Sequence, residues 1–165
     1  MTAAAIPGLL RRGVLAVAVG RVAIGVTALA WPAAPSRPWV GAAADDLAAR
    51  VFGRALGARD LALGLGALAA LQGQDGSAPA WVAAGALSDT LDVAASLASW
   101  RELPRIGRWL VAGSAAAAAL TGAAGAHVLR SNPPAVISRR TARRSRKQPP
   151  AWPAPSRRSS WRPRR

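Results

Sequence analysis

Apolar positions fall in four long runs, at about 14–31, 55–71, 80–100 and 106–129, and polar residues gather between them. Each run approaches the ~20 residues that carry a helix across a bilayer. Trp31 and Pro32 close the first run, "QGQDGSAP" divides the second from the third, and "RELPRIGR" divides the third from the fourth. These are turn compositions, and their shortness predicts that the last three helices run as antiparallel neighbours. "PAAPSRP" after the first run is expected to be a loop. "DDLAARVFG" then leads helically into the second run, with Asp45 and Asp46 near its positive end and Asp46 poised to pair with Arg50.

An all-α fold follows: a polytopic four-transmembrane-helix bundle over residues 1–130 and a disordered basic tail over 131–165. A soluble bundle of Ala-rich helices would show a polar face on each helix, and "IGRWLVAGSAAAAALTGAAGAHVL" shows almost none. Trp31, Trp39, Trp81, Trp100 and Trp109 fall at or near the ends of the runs, where amphipathic rings favour the headgroup level. "LLRRGVLAVAV" imitates a twin-arginine export signal, but Arg21 interrupts its apolar stretch, so the first run is read as retained.

The polar exceptions inside the runs carry the most information. Arg21 lies in the first, Arg59 and Asp60 in the second, and Asp89 and Asp92 in the third. A charge in hydrocarbon costs a few kcal/mol or more, so these side chains must face the interior and one another. Successive residues of a helix point about 100° apart, so Arg59 and Asp60 serve each other poorly and each needs a partner on another helix. The five form an expected intramembrane polar network of charge minus one, and Arg54 at the mouth of the second run would bring it to zero.

Small residues accompany them at helical spacing. The stripes are Ala18, Arg21, Gly25 and Ala28; Gly53, Gly57, Asp60 and Gly64; Gly85, Ser88, Asp92, Ser96 and Ser99; and Gly107, Ser114, Thr121 and Gly125. Such stripes let helix backbones approach closely, so Gly25, Gly53, Gly57, Gly64 and Gly85 are expected packing positions.

Charge is distributed unevenly. Of 22 basic residues, twelve lie in 130–165, which contains no acid and supplies most of the net charge of +15. A Pro, Ser and Arg segment of this kind has no core-forming pattern. It is expected to adhere to anionic lipid headgroups, while any contact with nucleic acid would be unspecific. Counting the tail, the positive-inside bias puts both termini in the cytoplasm; without it the bias reverses. The abundance of Ala, Arg, Gly and Pro points to a GC-rich bacterial source and hence to a bacterial plasma membrane. Besides the lipid bilayer, an oligomer or a partner membrane protein is left open as a partner.

Chemical motifs are sparse. The absence of cysteine excludes disulfides, thiolate metal sites and a cysteine nucleophile. Asp89-x-x-Asp92 begins like the metal-binding aspartates of phospholipid-synthesising alcohol phosphotransferases, but the glycine, Ala-Arg and second aspartate pair of that motif do not follow. "DDLAAR" has Leu47 where the motif has glycine. His127 is the sole histidine, so neither a zinc site nor a haem pair is expected, and "GLGAL" lacks the strand and Lys-Ser/Thr of a phosphate loop. No cofactor, metal or catalytic residue is therefore assigned. The leading expectation is a structural or accessory membrane protein without catalysis, ahead of a small proton-coupled carrier or channel subunit. A membrane enzyme acting on lipid or quinone ranks third.

"RVFGRALGARDLALGLGALAAL" and "WVAAGALSDTLDVAASLASW" resemble an uncharacterised family of small bacterial, notably actinobacterial, four-helix integral membrane proteins, a domain of unknown function. The similarity covers about 14–129 and rests on Arg59, Asp60, Asp89 and Asp92; DoxX-like membrane proteins are similar more distantly. The resemblance implies membrane residence and four helices, and no reaction.

Overall fold

The computed structural model describes residues 8–73 and 76–132. The expected tail from residue 133 onwards, with Gln74 and Asp75 of the second turn, lies outside the described residues. Among the described residues there are five α-helices and no strand: α1 (Gly8–Ala30), α2 (Ala33–Val40), α3 (Leu47–Gln72), α4 (Ala78–Ala98) and α5 (Arg105–Ser131). A 3-10 turn over Gly41–Asp45 links α2 to α3. The all-α expectation holds. Of the four expected spans, α1 and α5 are long and apolar enough to cross a membrane, with mean hydropathies of 2.0 and 1.4.

The segment expected to be a loop is instead the helix α2. Proline disfavours helical geometry in the residue before it, which is why "PAAPSRP" reads as a loop. Here Pro32 is the cap and Pro35 falls in the first turn, where its missing N–H would have had no helical partner anyway. Pro38 deletes one further bond, and the Ser36 hydroxyl donates to the Pro32 carbonyl at 2.9 Å. The helix stops at Gly41, whose φ of 68° only glycine adopts freely. Asp46 is the N-cap of α3, but its side chain makes no capping hydrogen bond. The ion pair at this end joins Asp45 to Arg37 at 2.9 Å, rather than Asp46 to Arg50, and its exposure makes it a minor contributor.

The long helices associate most closely as α1 with α3 and α4 with α5. Their registers are antiparallel: Gly25 lies against Gly57 and Leu61, and Gly64 against Ala18 and Val22. Neighbours α3 and α4 are also antiparallel, with Gly66 against Trp81 and Arg59 against Asp92, but they pack less closely than expected of a hairpin. The contents of the interfaces explain the difference. Glycine and alanine line most of the α1–α3 seam, which the Arg21–Asp60 pair crosses, whereas the Trp81 indole ring sits between α3 and α4 beside the Arg59–Asp92 pair. The Trp81 ring occupies the space a side chain at residue 66 would fill, a pairing the stripe pattern did not reveal.

Burial follows the stripes closely but not throughout. In α1, Ala18, Arg21, Gly25 and Ala28 are buried with Val14; in α3, Gly53, Gly57 and Gly64 are buried. In α4, Gly85, Ser88, Asp89 and Ser96 are buried. The α5 stripe is corrected: Gly107 and Gly125 are buried, but Ser114 is exposed, and Gly122 and Ala126 complete the seam. The large apolar side chains do the opposite. Leu120 is 73% exposed, Leu87 62% and Ile24 51%, while the apolar core is a small cluster of Val14, Val82 and Ala126.

At the α2 end, Trp100 and Trp109 meet edge to face with ring centroids 4.7 Å apart. Arg108 lies over Trp100 and donates to its carbonyl at 2.9 Å, tying the start of α5 to the end of α4. The α5 backbone at Gly107 lies directly against the Pro38 carbonyl, leaving no room for a Cβ. Gly107→Ala is therefore expected to push α2 off α5. Limited chymotrypsin digestion should then cut after Trp39 faster than in the parent protein, and an unchanged cutting rate would contradict this packing.

Candidate functional site

The five charges expected to converge are drawn into one chain running Asp89, Arg21, Asp60, Arg59, Asp92 across three helices. Arg21 projects from the small-residue stripe of α1 and forks. Its Nη1 donates to Asp60 Oδ1 at 2.7 Å, and its Nη2 donates to the Gly85 carbonyl at 2.7 Å and lies 2.6 Å from Asp89 Oδ1. One guanidinium thus bonds α1 to both α3 and α4, which its planar array of donors permits and an ammonium would not. Arg59 engages Asp92 with two parallel bonds, Nη1 to Oδ1 at 3.1 Å and Nη2 to Oδ2 at 2.8 Å. This is the strong bidentate geometry of guanidinium and carboxylate. The contact between sequence neighbours, Arg59 Nη2 to Asp60 Oδ1, is long at 3.4 Å, as their angular separation requires.

Exposure grades along the chain. The Arg21 side chain is 8% exposed, whereas that of Arg59 is 32% exposed. The network is thus closed at its Asp89 end and open at its Arg59–Asp92 end. Arg54 does not join it: its Nε makes a long contact of 3.4 Å to the Leu29 carbonyl, at the end of α1. The expected neutral set of six is therefore a set of five with a charge of minus one.

One feature of the network had no signal in the sequence. The Gly85 carbonyl is an acceptor for Arg21, and no pattern of residue types announces a main-chain acceptor. Nor is glycine required there by space, since a Cβ at residue 85 would meet Arg21 Nε at 3.4 Å, an ordinary contact. At Gly25, Gly57 and Gly64 the requirement is real: built Cβ atoms would come within 2.6–2.8 Å of the facing helix. Gly53 is intermediate, facing the Pro32 carbonyl at 3.2 Å.

A small cavity adjoins the closed end. It lies among α1, α3, α4 and α5, with Arg21 and Asp89 as its polar lining and Val14, Leu63, Trp81 and Val82 among its apolar walls. Its volume of about 20 Å³ admits a single water and no larger ligand. Arg21 Nε and Asp89 Oδ2 are buried without a hydrogen-bond partner. Among the described residues no group of three or more His, Asp or Glu side chains is placed to hold a metal ion. Asp89 and Asp92 each already accept from an arginine, which a divalent cation would have to displace. His127 is exposed near the end of α5, away from the network.

Comparison with protein-family models, curated proteins and solved structures found no match to this chain. The site is therefore interpreted through its own geometry. What that geometry does chemically is hold three helices by charge-assisted bonds around one carboxylate oxygen, Asp89 Oδ2, that is buried without a partner. Among the described residues of the network no nucleophile is placed against a base.

Proposed function

We propose that this chain is a multi-pass integral membrane protein whose four long helices span the bilayer, with a structural or accessory role rather than a catalytic one. The observation that carries this reading is the inversion of polarity between inside and outside. Arg21 and Asp89 are buried together with glycine, alanine and serine, while Leu, Ile, Val and Phe side chains cover the exterior. In water such a surface would expose far more contiguous apolar area than a soluble monomer tolerates, and in lipid it is the expected arrangement. The charges that lower the hydropathy of α3 and α4 face α1 and each other, so they do not oppose insertion. The arginine and aspartate chain then acts as the interhelical tie in a medium that gives little hydrophobic drive for helices to associate.

The resemblance to small four-helix bacterial membrane proteins points the same way. Within this reading the tryptophans of the α2 end lie at one interface, and the basic tail lies against anionic lipid on the cytoplasmic side with both termini. The direct test is membrane fractionation after expression in bacteria. The protein should sediment with membranes and resist extraction at high pH and high salt, and so should a version ending at residue 132. Because the chain lacks cysteine, single cysteines placed near each terminus report topology with an impermeant maleimide. Both should label only after cells are opened. Recovery of the full chain in the soluble or carbonate-washed fraction would overturn the membrane reading.

A further inference from the structure

The charge of the network is unbalanced, and its three carboxylates are not equally served. Asp92 accepts two bonds from Arg59, one on each oxygen, at 3.1 and 2.8 Å, and Asp60 is contacted by both arginines on Oδ1, at 2.7 and 3.4 Å. Asp89 has one ionic contact, 2.6 Å from an Arg21 nitrogen that also serves the Gly85 carbonyl. Its other oxygen, Oδ2, is buried and unpartnered, and Asp89 lines the cavity of about 20 Å³ together with Arg21. A net charge in an interior of low polarity is neutralised by a proton or a counter-ion. A metal cation in this cavity would lie against the Arg21 guanidinium with Asp89 as the one carboxylate on the wall, a poor set of ligands beside a like charge.

We propose that Asp89 is a proton-binding site, with one proton on Oδ2 completing a network that is then electrically neutral. The inference rests on the membrane reading, because only a surrounding apolar medium denies the network a diffuse counter-ion. The chemistry balances simply: hydronium in the cavity transfers a proton to Oδ2, an O–H bond forms, and water remains. That water accepts from the new O–H and from Arg21 Nε, satisfying the two orphaned groups with its two lone pairs. Asp89 Oδ1 stays available to Arg21. The charged groups facing this site are Arg21 from α1, Asp60 and Arg59 from α3 and Asp92 on α4 itself; α5 contributes only Ala118 and Gly122 to the cavity wall. Loading and unloading a proton at such a residue is the elementary step that proton-coupled transport requires.

The test uses the full chain in lipid nanodiscs and reads the carbonyl stretch of a protonated carboxylic acid by infrared spectroscopy at neutral pH. One such band, shifted in deuterated water, is expected in the parent protein. It is lost in Asp89→Asn, and it changes frequency in Asp89→Glu but not in Asp60→Glu or Asp92→Glu, which keep the charge of the network unchanged. Asp89→Asn should also melt at the parent temperature, since an amide replaces a neutral acid at constant size. A parent protein that is inserted and folded but lacks the band overturns the proton site alone. A band that survives Asp89→Asn, or an Asp89→Asn variant that fails to fold, overturns it equally. A chain that washes off membranes removes the membrane reading and the proposal with it.

Discussion

Gly25→Leu should abolish the packing of α1 on α3 and lower thermal stability in detergent more than any other substitution in the α1–α3 seam. A Cβ at residue 25 would lie 2.7 Å from the Gly57 carbonyl oxygen and from Leu61 N, and 2.9 Å from Leu61 Cα. All three are main-chain atoms, so no side chain can turn aside and the helices themselves must separate. Overpacking by a methyl group in a rigid interface costs on the order of 1–3 kcal/mol, and a leucine adds three further carbons to the same place. Separation also breaks the bond from Arg21 to Asp60, which spans that seam at 2.7 Å. Gly20→Leu is the matched control. Nothing lies within 4 Å of a Cβ at residue 20, so that variant should melt with the parent protein. Equal melting of the two variants would mean that α1 does not pack through this face.

The same positions show how far the sequence reached. Stripes spaced by three and four single out Gly25, Gly57 and Gly64, and in the structure each lies against the facing helix, because close helix approach leaves a direct mark on residue type. They could not say which helix lay opposite. Short turns favour α3 with α4, yet the closest partner of α3 is α1, reached through a connection whose helix α2 has the composition of a loop. Pairing depends on the size of what fills each interface, and the Trp81 ring against Gly66 became visible only in three dimensions. The polar chain was more open to sequence reasoning, since isolated charges in apolar runs have few places to go. Its wiring was not, because Arg54 and Arg59 are equally basic in sequence and differ only in reach: one meets the Leu29 carbonyl and the other Asp92.

Arg21→Met should produce the largest loss among substitutions in the network. It removes at once the bond to Asp60 at 2.7 Å, the contact to Asp89 at 2.6 Å and the bond to the Gly85 carbonyl. Deleting one partner of a buried ion pair costs about 3–5 kcal/mol because the other charge is left buried and uncompensated. Arg21→Lys should recover little of this, since a single ammonium cannot reproduce a fork spanning two helices. Which second substitution restores stability then identifies the charges that matter. With a proton on Asp89, the ionised members are Arg21, Asp60, Arg59 and Asp92, and they balance. Arg21→Met with Asp60→Asn leaves the bidentate Arg59–Asp92 pair and a neutral acid, again balanced, so this double variant should regain more than half of the loss in melting temperature. Arg21→Met with Asp89→Asn leaves Asp60 and Asp92 sharing Arg59, with one negative charge unmet, and should regain little. An asymmetric rescue of this kind would mean that Asp60 is the structural counter-ion of Arg21 and Asp89 the titrating one. Equal rescue by both doubles would mean that the two carboxylates are interchangeable partners of Arg21, and the coupling energies of the two cycles measure that difference directly.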